Sequence, residues 1–330
     1  MLIEITEQSQ AGVARRKAVA LAESLQMDET SCGQVALAAT EIATNLVKHA
    51  GRGHILVQEV LRDGNSGLRI TGVDKGPGIS DVTKALEDGH STTSSMGAGL
   101  GAIRRLSHTF ELYTVPGSGT VVDAEFWLRR NETLQPDSNL QIACVSEPVR
   151  GEDQNGDGWG VRLSAEAVLL MVVDGLGHGP LAAEAAREAE RILAETHRIS
   201  PEQIIQDTHL SLKKTRGAAQ AVARVDSTKG VLSYAGVGNI SAAVVAPGSS
   251  RSLASHNGTV GQQMERLQEF SCPWTKNSIF VMHSDGLATR WDLERYPGIW
   301  RKSPSVIAAV LHRDFCRERD DVTVLVAKAA

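Results

Sequence analysis

Aromatic residues and cysteines are scarce in this sequence, and it has no long apolar run. Phe, Trp and Tyr make up 4% of its 330 residues, and the four cysteines stand far apart without a C-x-x-C pair. That spacing suggests neither a zinc site nor a disulfide framework, so we expect free thiols in a reducing compartment. The polar, acidic start MLIEITEQSQ lacks the charge and apolar pattern of a signal peptide. We therefore predict a cytoplasmic protein without a membrane span.

A basic excess is also missing. The net charge of -5 and the pI near 6.1 do not indicate a basic binding surface for nucleic acid or an anionic membrane. The chain is 42% hydrophobic and 22% charged, which is typical of globular proteins. A length of 330 residues exceeds the usual size of one domain, so we expect two.

Apolar periodicity divides the chain into two α+β halves. The first combines helical spacing over 12–25 and 31–50 with the strand-like runs HILVQEVL and GLRITGVD, and ends in the hairpin-like FELYTVPGSGTVVDAEFWL. The polar segment RRNETLQPDSN has no periodicity and favours a boundary. The second half has many strands around two helices, near 181–196 and 201–214, which suggests a sandwich. We predict domains at residues 1–133 and 134–330.

Polar residues recur every four positions on the second predicted helix. Glu41, Asn45 and His49 would line one face of it. An Asn oxygen suits Mg²⁺, and a carboxylate one turn away could deprotonate a hydroxyl nucleophile during phosphoryl transfer. Taken alone, the triplet fits a solvent-facing helix side better.

Two glycine-rich segments follow that helix. In the first, DKGPG, an acceptor carboxylate stands at a strand end, and its glycines allow close approach of a flat ligand. In the second, GAGLG, backbone N–H groups at a helix start could bind phosphates. Each segment is also a common turn. Their candidate residues are Asp74, Gly76, Gly78, Gly97, Gly99, Leu100 and Gly101.

In this order the motifs resemble the ATP-binding fold of gyrase, Hsp90, histidine kinases and MutL, the GHKL fold, over about residues 30–128. EIATNLVKHAG, DKGPGI, MGAGLGAIRRL and PGSGT look like the RsbT-type serine kinases of bacterial stress-response switches. The resemblance implies an α/β sandwich that binds ATP, with Mg²⁺ on Asn45 and Glu41 as the base toward a Ser or Thr hydroxyl. A sigma-factor-binding antagonist kinase stays open as a sister reading. The implied nucleotide contacts are Asn45, His49, Asp74, Gly76, Gly78, Gly97, Gly99, Leu100, Gly101 and Thr120.

In the second half, four aspartates stand at strand ends beside small residues. Such carboxylates are the ligands that Mg²⁺ or Mn²⁺ prefers, and two ions ~3.5–4 Å apart would activate a bridging water. A single Asp-Gly pair is more often a turn, whereas four in order favour a metal centre. The four are Asp157 in NGDGW, Asp174 in VVDGLGHG, Asp285 in MHSDGL and Asp320 in RDDVTVL.

This set resembles the metal-dependent phosphatases of the protein phosphatase M class, in particular the SpoIIE and RsbX branch, over about residues 140–328. The resemblance implies an αββα sandwich with two divalent ions. Asp174 would bridge them and the Gly175 carbonyl would be a further ligand, together with Asp157, Asp285 and Asp320. Asp320 is favoured over its neighbour Asp321 because the family motif has the ligand two residues before the strand.

The implied reaction is hydrolysis of phosphoserine or phosphothreonine without a covalent phosphoenzyme. Eukaryotic members carry a His directly after the first Asp-Gly, where this chain has Leu176, so the leaving-group acid is unassigned. His178 is as compatible with helix capping or loop packing as with catalysis.

Two functions are compatible with these motifs. The first is a bifunctional switch that phosphorylates and dephosphorylates a STAS-domain or stressosome partner, using ATP, Mg²⁺ and Mn²⁺. In the second, the ATP site only gates binding to a STAS protein or a sigma factor, and the phosphatase is the sole activity.

Overall fold

A computed structural model describes residues 1–62, 65–87, 99–128, 140–164, 166–264 and 267–329. The chain forms two compact units, Met1–Asp137 with Pro297–Lys302, and Ser138–Tyr296 with Ser303–Ala330. Both combine helices with antiparallel sheets, which agrees with the α+β prediction. The predicted boundary after residue 133 falls in 129–139, outside the described residues, and stays a prediction.

The first unit is one antiparallel sheet with helices on one face. Its elements are β1 (Leu2–Ile5), α1 (Gln10–Ser24), α2 (Glu29–Asn45), a π-helical turn (Leu46–Ala50), β2 (Gly53–Arg62), β3 (Asn65–Asp74), α3 (Val82–Leu86), α4 (Leu100–Leu106), β4 (Thr109–Thr114) and β5 (Thr120–Trp127). The strand order is β1-β2-β3-β5-β4. Neither β1 nor α3 was predicted, because both are too short to establish a periodicity.

Small side chains let the two long helices pack closely. α1 buries alanines along one face, and α2 begins at Asp28, whose carboxylate accepts the Ser31 backbone N–H at 2.8 Å. Further along α2, Ile42 lies directly on Gly72 of β3, where any Cβ would overlap it. A glycine at this point of the strand therefore sets how closely α2 approaches the sheet.

The other face of this sheet carries a buried ion cluster. Arg69 and Thr71 of β3 stand opposite Glu125 and Asp123 of β5, and alternation turns all four away from the helices. The Arg69 Nε–Glu125 Oε1 distance is 3.1 Å, and Thr71 donates a hydrogen bond to Asp123 at 2.5 Å. Since all four residues are at most 8% exposed, one guanidinium neutralises two buried carboxylates.

The second unit has four layers, helix–sheet–sheet–helix. Its elements are β6 (Leu140–Glu147), β7 (Asp157–Leu163), β8 (Val168–Gly175), α5 (Pro180–Glu195), α6 (Pro201–Ser211), β9 (Ala218–Asp226), β10 (Val231–Val237), β11 (Ser241–Ala246), β12 (Ser249–Leu253), β13 (Phe270–Pro273), β14 (Ile279–His283), α7 (Pro304–Phe315) and β15 (Val322–Ala329), with short 3-10 turns at Leu212–Lys214, Leu293–Arg295 and Ile299–Arg301. The sheets have the orders β13-β10-β9-β8-β7 and β12-β11-β14-β15-β6. Helices α5 and α6 cover the first sheet, and α7 packs on β6 and β15.

The expectation of two helices in this unit is wrong, because α7 is a third. Every residue from Pro304 to Leu311 is buried, and the short apolar run VIAAVL within this helix is as compatible with a buried strand as with a helix. None of the helices in the described part of the chain combines the length and apolarity that crossing a bilayer requires.

Replacing Arg69 with Ala should strongly destabilise the first unit. Loss of the guanidinium leaves the carboxylates of Asp123 and Glu125 buried without it, which costs about 3–5 kcal/mol. Hydrogen exchange of the β3 and β5 amides measures that loss locally. Arg15→Ala, on the exposed side of α1, is the control and should change protection by less than about 0.5 kcal/mol. Unchanged protection of β3 in Arg69→Ala would contradict the prediction.

Candidate functional site

Two contacts align the helix that carries Glu41 and Asn45 with the strand that ends in Asp74. Ile42 lies on Gly72, and a Cβ on Gly76 would lie 2.7 Å from the Ala50 Cβ. The helix and the following π-helical turn therefore run along the end of β3 and its loop. The predicted base, magnesium ligand and adenine acceptor thus belong to neighbouring elements.

Asp74 is the centre of a hydrogen-bonded corner. Its Oδ1 accepts the backbone N–H of Gly76 at 2.7 Å and of Thr120 at 3.2 Å. The hydroxyl of Thr114 accepts the Ile79 backbone N–H at 2.8 Å and lies 3.1 Å from the Thr120 hydroxyl. These bonds join the loop after β3 to the turn between β4 and β5, so Thr120 does lie beside Asp74.

Two glycines make that corner possible. Gly78 has φ +69° and Gly119 has φ +84°, and a side chain at either position would overlap backbone. At Gly78 the obstacle is the Val115 carbonyl, and at Gly119 it is the Asp74 carbonyl. The predicted role of Gly78 in shaping the corner thus has a steric basis, and Gly119 is a second such residue that the sequence reading did not single out.

The polar stripe on α2 does not continue regularly to its third member. Glu41 and Asn45 are half-buried one α-turn apart, but His49 lies exposed in the π-helical turn, where the hydrogen bonds span five residues. The expected single α-helical stripe is therefore wrong in its last turn. Burial raises the pKa of Glu41, opposed by the charge of Lys48. A raised pKa makes this carboxylate a better proton acceptor.

The predicted phosphate loop is described only in part. Gly97 lies outside the described residues. Gly99 is the extended N-cap of α4, whose first turn contains the buried Leu100 and Gly101. The Ala102 backbone N–H is bonded to the Gly99 carbonyl at 2.9 Å, which closes the first turn of this short helix.

In the second unit, strand pairing draws the predicted ligands together. Asp157 and Asp174 are direct partners in the β7–β8 register. The Ser284 hydroxyl donates a 2.6 Å hydrogen bond to Asp157 Oδ2, which links the end of β14, with Asp285, to the start of β7. The site therefore lies where strand ends of the two sheets meet.

The pKa values report the same proximity. Burial raises the pKa of Asp174 to about 9, with further contributions from the charges of Asp157, Asp285, Asp320 and Asp321. Burial also raises the pKa of Asp157 to about 7, against hydrogen bonds from Ser284 and Thr323. The other three predicted ligands thus lie within electrostatic reach of Asp174, and a cation among them would offset both the cost of burial and the repulsion.

The donor set fits a hard divalent cation. Asp157 Oδ1 is buried and has no hydrogen-bond partner, which is an unusual state for a carboxylate oxygen. Among the residues described, however, no group of three or more His, Cys, Asp or Glu side chains has the arrangement that would hold an ion as it stands. Hydrogen bonds direct two ligands elsewhere, Ser284 to Asp157 and Asn239 to Asp285 at 2.7 Å. Both of these hydrogen bonds join side chains only and involve no backbone group.

Asp320 and Asp321 have different environments. Asp321 is buried and accepts the backbone N–H groups of Val149 at 2.7 Å and Gly156 at 2.8 Å. Asp320 is half-buried and accepts the Asp321 backbone N–H at 3.0 Å. The sequence reading missed the anchoring function of Asp321 and the Ser284 bond, since nothing in a run such as DDVTV separates a ligand from an anchor.

The loop after Asp174 is tightly fixed. A Cβ on Gly175 would overlap the Ala182 carbonyl, and the Leu176 backbone N–H donates to the Gly217 carbonyl at 3.0 Å. Gly179, not His178, is the N-cap of α5, so helix capping by His178 is excluded. The exposed His178 ring instead lies with Nδ1 2.8 Å from Glu152 Oε1.

Comparison with known families divides the chain in the same way. The family described as "Stage II sporulation protein E (SpoIIE)" matches residues 164–330, and the "Histidine kinase-like ATPase domain" matches residues 6–126. The serine/threonine-protein kinase RsbT of Bacillus subtilis (strain 168) is 39% identical over 116 residues, 35% of this chain and 87% of RsbT. The phosphoserine phosphatase RsbX of the same organism is 25% identical over 155 residues, 47% of this chain and 78% of RsbX.

Solved structures agree with the phosphatase-type fold. A chain described under "The bacterial stressosome: a modular system that has been adapted to control secondary messenger signaling" has a TM-score of 0.54 and 28% identity, covering 57% of this chain and 99% of that one. RsbX in complex with magnesium has a TM-score of 0.50 and 21% identity, covering 58% of this chain and 96% of that one. The predicted GHKL-type and phosphatase-type folds are thereby confirmed.

Asp174→Asn should stabilise the metal-free protein. In the folded protein the pKa of Asp174 is raised from an ordinary 3.8 to about 9. Because the carboxyl ionises more readily in the unfolded chain, the stability of the folded protein falls as the pH rises from about 4 to about 9. We expect a higher melting temperature than metal-free wild type at pH 7.5, roughly 2–4 °C for each kcal/mol relieved. The difference should vanish below about pH 4, where the carboxyl is protonated in both states.

Thermal melts in EDTA at both pH values test this. Asp153→Asn, which removes an exposed charge from a loop of the same unit, serves as the control and should have little effect. Equal melting temperatures of Asp174→Asn and wild type at pH 7.5 would contradict the raised pKa of Asp174.

Proposed function

Because this chain belongs to the SpoIIE family and its first domain to the RsbT-like histidine-kinase-type ATPases, we propose that it both phosphorylates and dephosphorylates a partner protein. The observation that carries the phosphatase half is the convergence of Asp157, Asp285 and Asp320 on Asp174, since burial, followed by their charges and that of Asp321, raises the pKa of Asp174 to about 9. A cluster of several carboxylates is a typical ligand set for divalent cations. The proposed substrates are phosphoserine and phosphothreonine.

Each residue of the proposed phosphatase site has a distinct task. Two divalent ions, Mg²⁺ or Mn²⁺, would supply a nucleophilic water and neutralise the phosphoryl oxygens. Asp174 would bind both ions, with the Gly175 carbonyl beside it, and Asp157, Asp285 and Asp320 would complete the set. Asp321 and Ser284 would act indirectly, since their hydrogen bonds to Val149, Gly156 and Asp157 hold the strand ends in register.

The proposed kinase site uses fewer charges. Asp74 would accept the adenine amino group, because its carboxylate is fixed by Gly76 and Thr120. Asn45 would hold Mg²⁺ on the triphosphate, with His49, Gly97, Gly99, Leu100 and Gly101 near the phosphates. Glu41, whose pKa is raised by burial, would accept the proton of a Ser or Thr hydroxyl.

The relatives suggest the partner. RsbT is named as a serine/threonine-protein kinase and RsbX as a phosphoserine phosphatase. A chain that combines two such domains would add and remove the same phosphoryl group. The similar chain described with the bacterial stressosome supports an assembly of that kind as the target. We propose a STAS-domain protein of such a switch as substrate and the cytoplasm, where ATP is available, as the location.

Single substitutions should separate the two activities. With Mg-ATP, wild type should label a STAS-domain substrate, and with Mn²⁺ but no ATP it should remove the label. Asn45→Ala and Glu41→Ala should lower labelling at least about a hundredfold, the usual scale for loss of a positioned acid–base group, and leave removal intact. Asp174→Asn should abolish only removal. Both rates are measured with radiolabelled phosphate.

Loss of both activities in either variant would contradict separate sites. Glu41→Ala also tests the alternative in which ATP only gates affinity for a STAS protein or sigma factor. If this variant still binds ATP and regulates its partner normally without labelling it, the binding function replaces the kinase function. Asp81→Asn, at the exposed start of α3, is a suitable control in the same unit.

A further inference from the structure

Arg216 lies in a turn that is fastened to the loop carrying Asp174. Thr215 donates its hydroxyl to the Leu212 carbonyl at 2.8 Å and accepts the Gly217 backbone N–H at 3.0 Å. Gly217, with φ +85°, in turn accepts the Leu176 backbone N–H at 3.0 Å. The Thr215 side of Arg216 is therefore fixed within its own turn, and the Gly217 side is bonded to Leu176, two residues after Asp174.

The guanidinium of Arg216 lies against the backbone of the loop after Asp174, at Gly177, which has no side chain. A Cβ on Gly177, which has φ +86°, would lie 3.1 Å from Arg216 Nη1, so the glycine leaves room for the guanidinium. Gly177 also adjoins the start of β7, because a Cβ on Gly156 would lie 3.4 Å from the Gly177 carbonyl oxygen. Arg216 thus lies on the rim of the carboxylate cluster, one glycine away from the strand that begins with Asp157.

Arg216 is exposed and makes no hydrogen bond or ion pair with any described residue. By contrast, the guanidinium of Arg191 on α5 forms ion pairs with Glu188 and Glu195. An exposed cation on the rim of the carboxylate cluster that has no partner among the described residues remains available to a ligand. The planar guanidinium fork matches two oxygens of a phosphate, which makes arginine suited to bidentate phosphate contacts.

We propose that Arg216 binds the phosphoryl oxygens of the phosphoprotein substrate at the phosphatase site. This inference rests on the phosphatase function proposed above and identifies its ligand as a phosphate monoester dianion. Such a dianion approaches a site of strong negative charge, so a cation on the rim offsets part of the repulsion and orients the group. Arg216 forms and breaks no covalent bond.

Arg216→Ala tests this through two readouts on the Mn²⁺-loaded full chain. Titration calorimetry gives the Kd of inorganic phosphate, and hydrolysis of p-nitrophenyl phosphate gives KM and kcat. We expect both Kd and KM to rise about ten- to a hundredfold, as for loss of a charge-assisted bidentate contact. Arg216→Lys should lie between, and millimolar guanidinium should partly restore Arg216→Ala. Arg251→Ala, an exposed arginine on β12, is the matched control and should resemble wild type.

The outcomes are distinguishable. A phosphate Kd for Arg216→Ala within twofold of wild type, or a fall in kcat alone, would overturn the proposal. The Mn²⁺ affinity and melting temperature should stay at wild-type values, and a loss of both would assign Arg216 a structural function instead. If wild type binds phosphate through Arg216 but hydrolyses no monoester, the phosphatase function fails while the binding site stands.

Discussion

Burial of carboxylates that face one another is the constraint on which the second unit depends. Asp157 faces Asp174 across paired strands, and burial together with neighbouring charges raises the pKa of Asp174 to about 9. A fold accepts such a cost only where rigid surroundings impose it. Here the rigidity comes from Asp321, which accepts two backbone N–H groups from the segment before β7. A Cβ on Gly286 would overlap the Asp321 carbonyl, so the backbone that follows Asp285 packs directly against the backbone of Asp321.

The first unit differs, because hydrogen bonds rather than clustered carboxylates organise the corner around Asp74. Asp74 serves as a hydrogen-bond acceptor, and backbone N–H groups from two loops hold it in place. Its concentrated charge lies instead in the Arg69 cluster on the opposite sheet face, where one cation balances Asp123 and Glu125. The unit therefore separates structural ion pairs from the corner around Asp74, whereas the second unit concentrates its buried charges at the carboxylate cluster.

Periodicity and motif order were sufficient for the α+β class, for most strands, and for the grouping of Asp157, Asp174, Asp285 and Asp320. They failed where a residue's environment depends on the tertiary structure. The short apolar run in α7 does not distinguish a helix from a buried strand, and the π-helical turn after Asn45 has no sequence mark that distinguishes it from an α-turn. The anchoring bonds of Asp321 join residues far apart along the chain, and the lack of a partner for Arg216 among the described residues depends on the tertiary structure, so spacing alone contains no information about either.

The two sites also respond oppositely to loss of charge, which bears on how mutants of this chain are interpreted. Neutralising Asp174 should remove the cost of burying its charge and the repulsion by its neighbours, so we expect loss of the proposed phosphatase activity without loss of stability. Neutralising Asp74 would leave the backbone N–H groups of Gly76 and Thr120 without their charged acceptor, so lost nucleotide binding would coincide with a weakened corner. Asn45 and Glu41, half-buried on a regular helix, can be altered with less damage to the fold. They are therefore the positions at which an effect on phosphoryl transfer can be separated from an effect on stability.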